Sequence, residues 1–185
     1  MIARKIAKGI ALFAIFVVCL VYFSFTSRAS DRDYYTVVDE GFTNTLDREL
    51  QDWVYEMCDE YEIPGYEKLI IAKLYCESSY RIRAKHTNSN GTYDIGIAQI
   101  NSMNFEWLEE ELGVTDFTDP KQSIRCGVYM MANNLQENNY DENKALVAYN
   151  AGQKRVDSGV GETSYSRRVL KIKKDMEVQN EAGKD

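Results

Sequence analysis

Three patterns in the 185 residues predict a mainly α-helical α+β domain with a small β-hairpin beside a cleft, preceded by an N-terminal membrane-spanning helix. Apolar residues recur at helical spacing through most of the chain beyond residue 45. One stretch rich in Asn, Ser, Thr and Gly, between residues 81 and 102, interrupts them with turn chemistry. Ahead of both, a basic cluster leads into an uncharged apolar run. The helical period argues for helices packed around one core. The length suits one ordinary domain with a short extra segment.

Arg4, Lys5 and Lys8 precede the run from Gly9 to Phe25, 17 residues without a charge. That is the lower limit for a helix crossing a bilayer. The basic flank orients the N-terminus to the cytoplasm and the rest outside. A retained signal-anchor over residues 1–29 is expected, with Cys19 an apolar residue of the span. Ser27-Arg28-Ala29 places small residues where a signal peptidase reads, so a cleaved signal and secretion are the alternative. Residues 30–44 are polar without a helical period and are read as an extracytoplasmic tether.

The domain is placed at residues 45–176. Apolar positions 46, 50, 53, 54, 57, 58 and 61 form a helical stripe. Pro64-Gly65 breaks the chain, and Tyr66 to Tyr75 reads as a largely buried helix charged at Glu67, Lys68 and Lys73 and ending at Glu77. Asn90-Gly91 marks the turn of a small hairpin or irregular wall. Ser102 is read as the cap of an amphipathic helix through Leu112, closed by Gly113, with Glu109 to Glu111 on a solvated face. Asp119-Pro120 opens the next helix, carrying Ile124, Val128, Met131 and Leu135. Asp141 caps another, which ends at Ala151-Gly152. Tyr165, Val169, Ile172 and Met176 form the last stripe, and residues 177–185 are a polar tail expected to fray.

Charge and composition exclude several functions. Four of the 22 basic residues and none of the 29 acidic ones fall in residues 1–29, leaving a net charge of −11 for the rest. Nucleic-acid binding depends on basic groups that neutralise phosphates, so no nucleic-acid partner is expected. The single histidine, His86, lies in a polar stretch and is read as an exposed loop residue, which leaves Ser-His-Asp or Cys-His chemistry without support. No H-E-x-x-H, C-x-x-C or glycine-rich phosphate loop is present, so neither metal nor cofactor is called for. Cys58, Cys76 and Cys126 allow at most one internal disulfide, and three free thiols are the equal alternative.

Glu77, at the end of an apolar helix, is the candidate for chemistry. Burial disfavours a charged carboxylate, so such a group holds its proton near neutral pH. It can then protonate a leaving oxygen. A solvated Glu, or one paired with Lys73 or Arg81, is the plain alternative.

The neighbouring residues favour chemistry. Glu77-Ser78-Ser79-Tyr80 resembles the E-S-x-[FY] signature of lytic transglycosylases of the lysozyme-like superfamily. Gly96-Ile97-Ala98-Gln99-Ile100 resembles their G-[LI]-x-Q-[IVL] segment, and Ala148-Tyr149-Asn150-Ala151-Gly152 their A-[YW]-N-A-G element. The resemblance covers residues 45–176 and implies a lysozyme-like fold. Implied with it are Glu77 as sole catalytic carboxylate, acid then base, Gln99, Tyr149 and Asn150 as substrate contacts, and Tyr165 orienting Glu77. Ser78, Tyr80 and Asn101 have supporting places. The implied substrate is peptidoglycan, cut at its MurNAc-GlcNAc β-1,4 bond with 1,6-anhydro ends. The run from Asn88 to Ser102 is also similar to animal-type lysozymes, where Asp94 falls at the second catalytic carboxylate. It is similar too to transglycosylases of secretion and conjugation machines, which makes such a complex a candidate partner. A hydrolytic muramidase using Glu77 and Asp94 is therefore the first alternative, and a catalytically silent glycan-binding component of such a complex the second. Asp94 is expected to be structural, bonding amides of the Asn88 to Gly91 turn. Ala98 stands where the family commonly has a larger residue, and is expected to widen the cleft.

Overall fold

The computed structural model describes residues 32–179. The expected membrane span from Gly9 to Phe25, Cys19 and the tail beyond Gln179 lie outside the described residues. Among the described residues no helix is long and apolar enough to cross a membrane.

Among the described residues seven α-helices are present: α1 Arg48–Glu60, α2 Glu67–Ser78, α3 Phe105–Leu112, α4 Pro120–Glu137, α5 Glu142–Ala151, α6 Gln153–Asp157 and α7 Ser164–Asp175. The strands are β1 Tyr35–Asp39, β2 Phe42–Thr45, β3 Lys85–Thr87, β4 Tyr93–Ile95, β5 Ile100–Asn101 and β6 Glu177–Val178. They form two antiparallel three-stranded sheets, β2-β1-β6 and β3-β4-β5.

At the centre is α2. Leu69 through Tyr75 are all buried, Lys73 included. A helix apolar on every side must be enclosed, and α1, α4, α7 and β1 pack around this one. Its neighbours are amphipathic and turn one stripe inward: Val54, Met57 and Cys58 from α1, Ile124, Val128, Met131 and Leu135 from α4, Val169 and Ile172 from α7. The helix starts read from sequence hold at Asp119 and Asp141, and the structure adds a third cap at Thr163. Asp119 accepts from Gln122 N with Pro120 at the first helical position, Asp141 accepts from Lys144 N, and Thr163 and Ser166 make a reciprocal capping box. The cap after the second sheet differs. Asn101, not Ser102, accepts from Met103 N and opens a 3-10 turn over Ser102–Asn104 ahead of α3. Ser102 Oγ instead accepts from Tyr93 N.

Two stretches depart from expectation. Residues 30–44 were expected to be a tether, yet Tyr35 to Thr45 form a hairpin that is part of the domain, with Val37 opposite Asn44. It is anchored by Gln51, a fully buried residue of α1. Gln51 Oε1 accepts from Tyr35 N at 2.8 Å, and Nε2 donates to the carbonyls of Tyr35 at 3.1 Å and Leu46 at 2.9 Å. The start of the expected tail, Glu177–Val178, pairs with β1. Edge-strand pairing by polar residues leaves no apolar periodicity to read.

Candidate active site

Glu77 lies in the last turn of α2, and the chain reverses directly after it. Ser79 and Tyr80 take left-handed conformations at φ 52° and 62°. Ser78, buried, donates its Oγ to Ile97 O at 2.8 Å. The helix end is thereby tied to the Gly96–Ile100 segment. That segment approaches the start of α4 so closely that a Cβ on Gly96 would come within 2.2 Å of Phe117 O and 2.5 Å of Ser123 Oγ, at φ +80°. Only glycine fits there. Ser123 then receives Ala98 N at 3.2 Å.

A cavity of about 660 Å³ opens at Glu77, lined among others by Asp94, Gln99, Asn101, Tyr149 and Asn150. A second of about 380 Å³ shares Glu77, Asp94 and Gln99 and adds Arg81, Lys85 and His86. Glu77 therefore sits where two recesses meet, one walled mainly by neutral groups and one carrying basic side chains. Six of the nine residues singled out in the sequence line the larger recess: Glu77, Asp94, Gln99, Asn101, Tyr149 and Asn150. Ser78 and Tyr80 line neither. Tyr80 instead bonds Ile71 O at 3.3 Å and packs its ring 5.5 Å from that of Tyr75. Its place supports α2.

Tyr165, on α7, donates its hydroxyl to Glu77 Oε1 at 2.5 Å. The Glu77 carboxyl is held above its ordinary range, foremost because burial penalises the anion; Lys73 and the Tyr165 hydrogen bond oppose this, and Asp94 adds to it. Burial, with the Glu77 charge second, drives both Tyr149 and Tyr165 well above the usual phenol range, so each remains a neutral donor. Tyr149 OH bonds Ala98 O at 3.1 Å.

Asp94 on β4 is clamped by side-chain amides. Its Oδ1 accepts from Asn101 Nδ2 at 2.7 Å and its Oδ2 from Asn88 Nδ2 at 3.1 Å. Thr92 joins the set through Asn88, Asn90 and Asn101. The partners are thus Asn side chains rather than the turn's backbone amides. Gln99, itself at φ 49°, donates Nε2 to the carbonyls of Ala84 at 3.1 Å and Gly96 at 2.8 Å.

Ala98 was expected to widen the cleft. It is fully buried against α4 and α5 instead, so its small side chain lets the helices close in and leaves the cleft wall unchanged. His86 is exposed as expected but lies on β3, lining the smaller recess. Cys58, Cys76 and Cys126 are free thiols; burial pushes Cys76 up to about 11 and Cys126 up to about 12. Sequence reasoning missed Met103, Asn104 and Met130 of the larger recess and Arg81 and Lys85 of the smaller. Arg81 and Lys85 carried a readable signal, a basic side chain on either side of the Glu77 turn. The two Met residues carried none.

Comparison with known proteins gives the family and the fold. A family model described as "Transglycosylase SLT domain" matches residues 58–168. No curated protein matches the chain. Among solved structures, an inactive mutant of the lytic transglycosylase Slt from Pseudomonas aeruginosa superposes with a TM-score of 0.51 at 16% identity, over 68% of this chain and 22% of that one. The chain thus spans about a fifth of that protein's length, and the likeness is one of fold.

Proposed function

The chain belongs to the Transglycosylase SLT domain family, and on that premise we propose that it is a peptidoglycan lytic transglycosylase cutting the MurNAc-GlcNAc β-1,4 bond. The observation that carries the reading is Glu77. It is a carboxyl whose pKa burial raises above the ordinary range, held by the Tyr165 hydroxyl and lining both recesses. As the glycosidic bond breaks, Glu77 gives its proton to the leaving oxygen. The substrate's own acetamido oxygen closes on the anomeric carbon and takes up the positive charge. Glu77, now a carboxylate, next accepts the proton of the sugar's 6-hydroxyl as that oxygen displaces the acetamido group. A 1,6-anhydro ring forms, and Glu77 is protonated again for the next cycle.

The other residues serve this sequence as contacts. Both amide hydrogens of Gln99 go to backbone carbonyls, so its Oε1 is left to accept from a sugar N–H or hydroxyl. Tyr149 and Asn150 line the same recess; an aromatic face stacks on a sugar ring, and an amide bonds an acetamido group. Asp94, Asn101 and Asn88 form a rigid rim. The domain works outside the cytoplasm, where peptidoglycan lies, tethered through residues 9–25 or released by signal cleavage. A secretion or conjugation complex is the class of machine that would employ it.

A second reading is favoured by one observation: Asp94 lines both recesses with Glu77 and acts on its charge. A hydrolytic muramidase would use the two as a pair. Against it stand the two Asn amides that occupy both Asp94 oxygens. The test is a pair of variants assayed for clearing of purified peptidoglycan. E77Q loses about 10² to 10⁴ of the rate, the usual contribution of general acid-base catalysis, while D94N keeps most of it. A collapse of D94N as deep as that of E77Q would establish the paired mechanism instead.

A further inference from the structure

Lys73 is buried completely, and its Nζ has no hydrogen-bond acceptor among the described residues. A lone ammonium is among the costliest groups a core can hold, so its surroundings need a reason. It stands one helical turn before Glu77, and residues four apart share a helix face. From α5 the Tyr149 ring meets it, with the ring centroid 3.6 Å from Nζ. From α4, Gly127 clears the space: a Cβ there would come 3.6 Å from Lys73 Nζ, 3.7 Å from Tyr149 OH and 2.9 Å from the Ala98 Cβ. Two residues without bulk, Gly127 and Ala98, thus converge where the amine and the cleft-wall tyrosine meet.

We propose that Lys73 is a positioning residue of the acid step, a buried cation on the Glu77 helix that balances the negative charge Glu77 acquires as it gives up its proton. The inference rests on Glu77 being the general acid. Burial alone makes Glu77 keep its proton and thus donate poorly. A cation nearby favours the charged form, and its pull is strong where water is excluded. The titratable groups facing the pair are Cys76 on α2, Cys126 on α4, Tyr149 on α5, Tyr165 on α7 and Asp94 on β4. Asp94 opposes ionisation of Glu77, and among the described residues Lys73 is the cation that favours it. Burial lowers Lys73 to about 8, with Glu77 pulling it back up, so the ammonium is charged at neutral pH. When Glu77 ionises, the amine interacts electrostatically with that carboxylate on its own helix while its Nζ rests on the Tyr149 ring, a face that also attracts cations.

The experiment is K73M in the full chain, with K73Q as the second variant should the Met form fail to fold. The Glu77 carboxyl is titrated by carbon-13 NMR, its signal assigned by its loss in E77Q. The expected result is a Glu77 midpoint higher by about one pH unit or more. With it, the fall of wall clearing at high pH moves upward, and kcat drops about three- to tenfold while KM stays within about twofold. A folded variant with an unmoved Glu77 midpoint overturns the proposal, whatever its activity, because a packing role alone would leave that midpoint in place. Wild-type protein that cleaves no peptidoglycan would refute the functional reading and leave the titration to decide Lys73.

Discussion

Replacing Tyr165 by Phe removes one oxygen and leaves the ring, so it isolates the hydroxyl that holds Glu77. That hydroxyl donates to Glu77 Oε1 at 2.5 Å, and hydrogen bonds to charged groups are worth about 1.5–3 kcal/mol. The bond favours the carboxylate, in keeping with Tyr165 drawing the Glu77 pKa down against burial. At about 1.4 kcal/mol per pH unit, its loss raises the Glu77 pKa by roughly 1 to 2. Two consequences follow for rate. Glu77 becomes a weaker acid with a freer rotamer, so kcat falls about 10- to 100-fold. The catalytically ready form is the protonated one, and it is lost as pH rises through the Glu77 pKa; that loss now comes at higher pH. The assay is turbidity decay of purified peptidoglycan across the acid-to-alkaline range, with a melting curve of each protein as control. A Y165F enzyme within about twofold of wild type, with its alkaline limb unmoved, would refute the coupling.

Three further outcomes are expected. E77Q raises thermal stability at neutral pH: a carboxyl whose folded pKa is raised contributes stability below its unfolded value, about 4.3, and loses it as pH rises through the folded value, at about 1.4 kcal/mol per unit raised. The advantage of E77Q shrinks toward acid pH, and equal melting temperatures of the two proteins at all pH values would contradict the burial of Glu77. Q51A removes the side chain that bonds Tyr35 N–H and the Tyr35 and Leu46 carbonyls, costing about 2–4 kcal/mol in a denaturant titration; a loss below about 0.5 kcal/mol would mean that the hairpin is held otherwise. G96A costs about 3 kcal/mol or more, because its Cβ meets Phe117 O and Ser123 Oγ and cannot share the backbone conformation; wild-type stability and activity in G96A would show that the close approach does not exist.

Much of the fold was legible because its helices announce themselves chemically. Asp119-Pro120, Asp141 and Gly113 mark ends that the structure keeps, and the apolar stripes of α1, α4 and α7 point at one core. Legibility failed where strands are short, polar and held by partners distant in sequence. Nothing in Thr36 or Glu177 tells that they pair, and Gln51 looks like any surface glutamine. In the site, Glu77, Gln99, Tyr149 and Asn150 were readable from motif context, and the Tyr165 contact with Glu77, which spans 88 residues, was legible only through the family resemblance and not from any local pattern. Lys73 could have been caught. A helix apolar on every side from Leu69 to Tyr75 has no polar face to receive it, so its burial follows from the same periodicity that placed α2. Ala98 misled because its environment depends on Gly127, a contact that sequence spacing does not encode.

The central claim is that one carboxyl, Glu77, serves as acid and then as base, with the substrate's own 6-hydroxyl as nucleophile. The most direct measurement is mass spectrometry of the muropeptides that the protein releases from purified peptidoglycan, run beside E77Q and D94N. The account predicts products lighter by one water than those of hydrolysis, carrying 1,6-anhydro ends that resist borohydride reduction. The same products should come from D94N, and none from E77Q. Products with ordinary reducing ends, together with their disappearance in D94N, would contradict it and make the chain a hydrolase that uses Glu77 and Asp94 as a pair.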